Sequence, residues 1–206
     1  RPSVWTRRLS GAYTKQMIDA WKSDDALGEA LHFLRMSGTF YCKSELTAPW
    51  ALVLPPFEHC LMFHVVTAGL CVLQVDGAEP CTLRPGDLAL VPHGGGHHLT
   101  SEPGVAAAKL FDLPRDAISN HYEILRYGGG GAATTMICAV VRFDHPAAEQ
   151  LMRLLPKLIR VDTWRLPEME WIQSTLRFIA AEAQQLNAGG ETVITRLADI
   201  LVVQAI

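Results

Sequence analysis

The sequence predicts a mainly β domain: an antiparallel barrel of short strands followed by C-terminal helices. Three observations predict it. Between Thr39 and Phe143 the apolar residues come in short runs broken by Gly, Pro and Asp, the pattern of an all-β sandwich or barrel rather than of alternating βαβ units. Asp76-Gly77, set between Leu73–Val75 and Cys81–Leu83, is a tight hairpin signal. After Asp144-His145-Pro146 the apolar spacing becomes helical. The 206 residues are 49% hydrophobic and 19% charged, which excludes disorder for the bulk of the chain.

Taken in order, residues 1–24 read as an N-terminal arm. Arg1, Arg7, Arg8, Lys15 and Lys22 stand there against Asp19, a basic and weakly periodic segment that reads as a solvated tail before it reads as a nucleic-acid contact. Asp24 or Asp25 caps a first helix, with Leu27, Leu31 and Leu34 at helical spacing and Gly38 ending it. The β-type runs are Thr39–Leu46, Trp50–Leu54, Cys60–Thr67, Leu70–Val75 and Cys81–Leu83. Leu88–Val91, His97–Ser101, Val105–Phe111 and Thr135–Phe143 continue them. Gly128–Gly131 reads as a mobile loop; a β-type run follows it rather than a helix N-terminus, which disfavours a phosphate cradle.

The helical region opens with Ala147–Leu155, stopped near Pro156. Pro167 starts a second helix, with the stripe Met169, Ile172, Leu176, Ile179, Ala183 and Leu186, and Asn187–Gly190 breaks it. Glu191–Ile206 is a third helix. The sequence stops inside that helix with no glycine cap and no polar tail, and reads as a fragment continuing into a further domain. The organisation is thus an arm over 1–24, a barrel over 25–145 and a helical linker or dimerisation region over 146–206.

Net charge is −3 and the isoelectric point near 6.2, so the chain is not built to grip DNA phosphates by itself. No apolar run approaches the roughly 18–20 residues of a membrane span, and no signal-peptide pattern is present. Cys42, Cys60, Cys71, Cys81 and Cys138 are odd in number, scattered and without a C-x-x-C. They read as reduced thiols in the cytoplasm.

The segment from Gly86 to His97, with Pro92, Gly94 and the closing His, resembles the second cupin motif. Its logic is a strand and a tight turn that deliver a His inward at the mouth of a small barrel. The first cupin motif should supply two His and a Glu before Gly69; those positions hold Pro56, Glu58 and Met62. The chain as a whole is similar, over 25–206, to the N-terminal cupin-like sensor domain of AraC-type transcriptional regulators. The matching pieces are Asp25-Ala26-Leu27, Ala48-Pro49-Trp50, Phe63–Val66 and Arg84–Asp87 through His97. Gly128–Gly131 into Met136–Cys138, Arg142–Asp144, Leu154–Pro156 and Arg196–Asp199 to Gln204-Ala205 follow in order. The resemblance implies a cupin-like jelly roll and a pair of helix-turn-helix units beyond 206 through which DNA is bound.

Strand alternation places Glu58, Cys60, Met62 and His64 on one face and His59, Leu61, Phe63 and Val65 on the other. Because the two motif strands lie together in cupins, the resemblance implies that His64 and His97 meet if the first face points inward. Cys138 then completes a His/His/Cys set, which suits Zn²⁺, with Glu58 and Cys60 in reserve. Two other readings stay open. In one, His64 and His97 are core histidines and Cys138 a small apolar filler; in the other, these residues contact an organic effector. Cys42 and Cys138 form a redox pair if a cationic His lowers a thiol pKa beside them. His93 and His98 belong to loops or the rim, and His59 packs or caps locally.

Functionally, the resemblance implies an effector-sensing regulatory domain that binds a small molecule, pairs with a second copy and passes the change to a DNA-binding part. The alternatives are a metal- or thiol-based redox sensor and, behind these, a cupin metalloenzyme. No Ser/His/Asp set or carboxylate pair stands out, so the expectation is not an enzyme. The stripe Met169, Ile172, Leu176 and Ile179 faces either a partner or the chain's own barrel.

Overall fold

Two sheets of unequal size stack face to face, and helices cover the outer face of the larger one. The computed structural model describes residues 36–143, 146–162, 170–185 and 189–205. The N-terminal arm, the helix expected from Asp24 or Asp25, and the stripe positions Met169 and Leu186 lie outside the described residues.

The strands are β1 (Met36–Thr47), β2 (Ala51–Leu54), β3 (Cys60–Ala68), β4 (Cys71–Val75), β5 (Cys81–Leu83) and β6 (Leu88–Val91). They continue as β7 (His97–Thr100), β8 (Ala108–Lys109), β9 (Arg115–Ala117), β10 (Tyr122–Gly128), β11 (Ala133–Phe143) and β12 (Ile159–Val161). The helices are α1 (Pro146–Leu154), α2 (Glu170–Gln185) and α3 (Gly190–Ala205). The larger sheet runs β12-β6-β3-β11-β1-β10-β9 and the smaller β5-β4-β7-β2-β8. They share no strand, so the expected barrel is an open, cupin-like sandwich.

The pairing is not wholly antiparallel: β1 runs parallel to β10, and β2 to β8. The first has a simple cause. β10 and β11 straddle β1 and are joined by the Gly128–Gly131 turn, so they run opposite to each other and only one can oppose β1. That turn is not a free loop. Gly129 and Gly131 donate to Thr47 O and Ala48 O at 2.8 Å each. Gly128 has φ +136°, and a Cβ there would sit 1.9 Å from Thr47 O, so only glycine is accommodated.

Other expectations shift for local reasons. Gly38 lies inside β1, at a register shift against β11, and ends no helix. The run Val105–Phe111 yields only the short β8 and a 3-10 turn over Leu110–Asp112. That turn is fixed by Arg115, whose Nη1 donates to Leu110 O at 2.8 Å and whose guanidinium lies 4.9 Å from the Phe111 ring centre. β9, the edge strand, and β10 beside it escape the sequence reading because they carry charges held in ion pairs: Arg115 with Glu123 at 3.0 Å, and Arg126 with Glu45 at 2.8 Å. β12 joins the helical region to the larger sheet by pairing with β6. Arg160 of β12 meets the buried Asp87 carboxylate at 2.9 Å, and the backbone N–H of Arg84 donates to the same oxygen at 3.0 Å.

Both faces of the larger sheet are buried. Leu61, Phe63 and Val65 of β3, with Ile137, Ala139 and Val141 of β11, belong to the core beneath the helices. Met62 and Val66, with Met136 of β11, belong to the core between the sheets. Ile172, Leu176 and Ile179 of α2 are buried in the helix-side core, so of the two readings of that stripe it is packing on the chain's own sheet that holds: the helices cover the apolar face the sheet leaves. Among the described residues no helix is long and apolar enough to cross a membrane.

Replacing Ile179 by Ala is expected to lower the unfolding free energy by about 2–5 kcal/mol in urea titration. Phe178→Ala, one residue away but 66% exposed, is expected to stay within about 0.5 kcal/mol. The reverse order would place the partner-facing side of α2 where we place its core side.

Candidate functional site

A single row of residues crosses the larger sheet. Cys42 of β1 stands opposite Cys138 of β11, Cys138 opposite His64 of β3, and His64 opposite Ala89 of β6. Directly opposed antiparallel residues project from the same face, so Cys42, Cys138 and His64 all point between the sheets. From the smaller sheet β7 brings in His97, which leads the strand after the Pro92–Gly96 turn. Gly94 makes that turn possible: its φ is +58°, and a Cβ would lie 1.9 Å from Phe57 O.

The two histidines meet, as expected. His64 Nε2 and His97 Nε2 are 2.7 Å apart, and His97 Nδ1 is 2.9 Å from Gly95 O. A carbonyl only accepts, so His97 Nδ1 carries the proton and its Nε2 is an acceptor. His64 Nε2–H must therefore donate to it, and His64 Nδ1 is left as a bare acceptor. That atom is buried and has no hydrogen-bond partner. Burial holds the His64 pKa well below the ordinary imidazole value, with His97 as a second cause. Burial lowers His97 as well; its bond to Gly95 acts against the shift and His98 adds to it. Both rings are neutral near pH 7.

The thiols are neutral too. Burial pushes Cys42 up to about 11, against the bond it makes with Ser44 at 3.7 Å, and Glu123 adds to the rise. Cys138 is raised well above the ordinary thiol by burial, then by Cys42 and Cys71. Cys71, on β4 of the smaller sheet, reaches about 12. The redox reading of Cys42 and Cys138 needs a cationic His to lower a thiol; the structure puts the pair side by side, but the neighbouring imidazole is neutral and the thiols move the other way.

The metal reading meets a similar correction. Among the described residues no group of three or more His, Cys, Asp or Glu is gathered so as to hold a metal ion. His64, His97 and Cys138 are neighbours, but the two imidazole nitrogens that would ligate Zn²⁺ are bonded to each other. Glu58 and Cys60, the reserve ligands, open instead on a separate cavity of about 410 Å³ beside His93, Phe143 and α1. The residues present do not fit the group. His93 and His98 are exposed, in keeping with a rim position, and a His93 hydrogen bond at 2.9 Å ties the turn to Leu155 O just past α1. His59, at φ +60°, reaches Glu149 of α1 at 3.3 Å.

Between the sheets lies a cavity of about 450 Å³. Met62, His64, Cys42 and Cys138 form its floor, and Phe40, Leu54, Phe57 and Val140 are among its walls. Phe111, His121, Glu123 and Arg142 also border it; of these Phe111, His121 and Arg142 are exposed, which marks its mouth. A mostly apolar cleft of this size with a few polar groups is the form of a small-molecule site. Single-strand periodicity signals only the floor, because the mouth draws on the 3-10 turn, the residue before β10 and the end of β11.

A sequence model of the cupin family matches residues 25–206. The chain is 23% identical over 189 residues to the HTH-type transcriptional regulator AlkR of Acinetobacter baylyi, covering 88% of this chain and 60% of that protein. It is 22% identical over 174 residues to the RCS-specific HTH-type transcriptional activator RclR of Escherichia coli, covering 84% and 52%. The chain thus spans little more than half the length of these relatives. Among solved structures, ToxT of Vibrio cholerae with bound unsaturated fatty acid superimposes with a TM-score of 0.43 at 8% identity, covering 82% of this chain and 54% of that one.

With both imidazoles depressed, the folded state resists protonation while the unfolded chain accepts protons near pH 6.5. The stabilising contribution is therefore complete above about pH 6.5 and is lost as pH falls toward the folded-state values, by up to about 1.4 kcal/mol per pH unit for each ring. Urea titrations from about pH 7 downward should show this slope, and His97→Gln, which keeps an acceptor for His64 and removes one ring, should show about half of it. A pH-independent midpoint would contradict neutral burial of the pair.

Proposed function

The chain belongs to the cupin family over residues 25–206, and from that premise we propose that it is the effector-sensing domain of an AraC-type DNA-binding regulator acting in the cytoplasm. The observation that carries the proposal is the cavity between the sheets, with its neutral floor and apolar walls. Two HTH-type regulators align with most of the chain while extending well beyond it, which supports a DNA-binding part outside residues 1–206.

The layering supplies a route from effector to output. β3 and β11 floor the cavity with Met62, His64 and Cys138, and on their reverse face Phe63, Val65 and Ala139 lie in the core shared with α1, α2 and α3. A ligand that spreads the sheets moves the surface on which the helices sit. It acts as a signal only if it prefers one of two arrangements, since equal affinity for both shifts nothing. Pairing of two copies, on this reading, uses the exposed apolar residues Phe178, Val193 and Ile200, because the inward stripe of α2 is already covered.

Chromatin immunoprecipitation of the complete protein, expressed from its own gene with a tag, is expected to enrich discrete promoter segments; uniform recovery across the genome would defeat the regulator reading. Elemental analysis of the purified chain is expected to return no stoichiometric metal. One zinc per chain, lost with His64→Ala, would instead restore the metal-sensor alternative.

A further inference from the structure

The cavity floor restricts what it can hold. His64, Cys42 and Cys138 are all neutral there for the same reason, loss of water around any charge, so an ionised ligand group would lose its own hydration against partners that offer no opposite charge. Charges gather at the mouth instead: Arg142 is exposed, and Glu123 is engaged with Arg115 at 3.0 Å.

One polar atom of a floor residue is unused. The bonds from His64 to His97 and from His97 to Gly95 settle the tautomer of both rings, and they leave His64 Nδ1 as an acceptor that cannot also donate. His64 lines the cavity and His97 does not, so the bonded edge of the His64 ring faces away toward β7. Met62, two residues back on the same face, and Cys138, directly opposite, flank it on the floor. His64 Nδ1 itself is buried and has no hydrogen-bond partner. A buried acceptor with no donor is unfavourable, and Met62 is a flexible side chain suited to turning aside. Phe40, Phe57 and Phe111 on the walls, with the sulfurs of Met62, Cys42 and Cys138 below, favour contact with a ring.

We infer that the cavity takes a neutral, ring-containing apolar molecule whose buried end carries one hydroxyl or N–H, donated to His64 Nδ1. This rests on the effector-site reading above and adds the ligand's chemical class and orientation to it. The same floor turns away a carboxylate, and it gains no hydrogen bond from an ether.

Isothermal titration of the purified chain with 4-butylphenol, 4-butylanisole and 4-butylbenzoate tests it, because the three share one hydrocarbon body and differ at the polar end. The phenol is expected to bind about tenfold tighter than the anisole, with the benzoate weakest. In His64→Leu, checked for folding by circular dichroism, the anisole keeps its affinity and the phenol loses its advantage. Val140→Trp, which fills the cavity wall, abolishes binding of all three. Equal binding of phenol and anisole, or tightest binding of the benzoate, overturns the inference while leaving an apolar effector site standing. Failure of all three to bind, or binding that survives Val140→Trp, overturns the inference and the site together.

Discussion

Strands β3, β6 and β11 have no solvent face. Each puts one set of side chains into the core beneath the helices and the alternate set into the core between the sheets, so every other layer is positioned against them. Water is excluded from both sides of these strands, which is why a segment such as Leu61–Val66 is nearly continuously apolar rather than alternating. The helices are needed because one side would otherwise be bare, and the smaller sheet because the other would. A domain built in this way has its ligand cavity and its output surface on opposite sides of the same strands.

The polar exceptions inside that arrangement are few and mostly paired. Asp87 is wholly buried, and one of its carboxylate oxygens takes both Arg160 and the Arg84 backbone N–H, which fastens β12, and with it the helical segment, to the sheet. His64 is buried and bonded at one nitrogen only. Each residue is thus paired at one atom, and each keeps a second buried atom, Asp87 Oδ1 and His64 Nδ1, without a hydrogen-bond partner. The sandwich keeps the cupin turn that delivers His97 but has Pro56, Glu58 and Met62 where metal ligands would stand. His64 and His97 instead form an imidazole pair that joins the two sheets.

Cysteines illustrate the same environment. In water a thiol near a histidine is a candidate nucleophile, and the spacing of Cys42, Cys138 and His64 invites that reading. Folding removes the water that would stabilise either the thiolate or the imidazolium, and both shift toward their neutral forms. The row of Cys42, Cys138 and His64 is thus a polarisable, uncharged surface, fit for apolar contact rather than for charge.

The strand over Cys60–Ala68, the Asp76-Gly77 hairpin and the Gly86–His97 turn were legible in the sequence because each is decided by local chemistry: a short apolar run, positive φ at glycine, and proline at a turn. The helices over 146–205 were legible by the same means, within a few residues. What the tertiary structure decided is whatever depends on register between distant strands. It opposed Cys42 to Cys138 and Cys138 to His64, turned two nearby histidines into a hydrogen-bonded pair, sent Glu58 and Cys60 to a different cavity, and covered the α2 stripe with the chain's own sheet. The parallel pairing of β1 with β10 belongs there too, since the order in which strands enter a sheet is set by the competition of whole faces for burial, and no short stretch of residues carries that information.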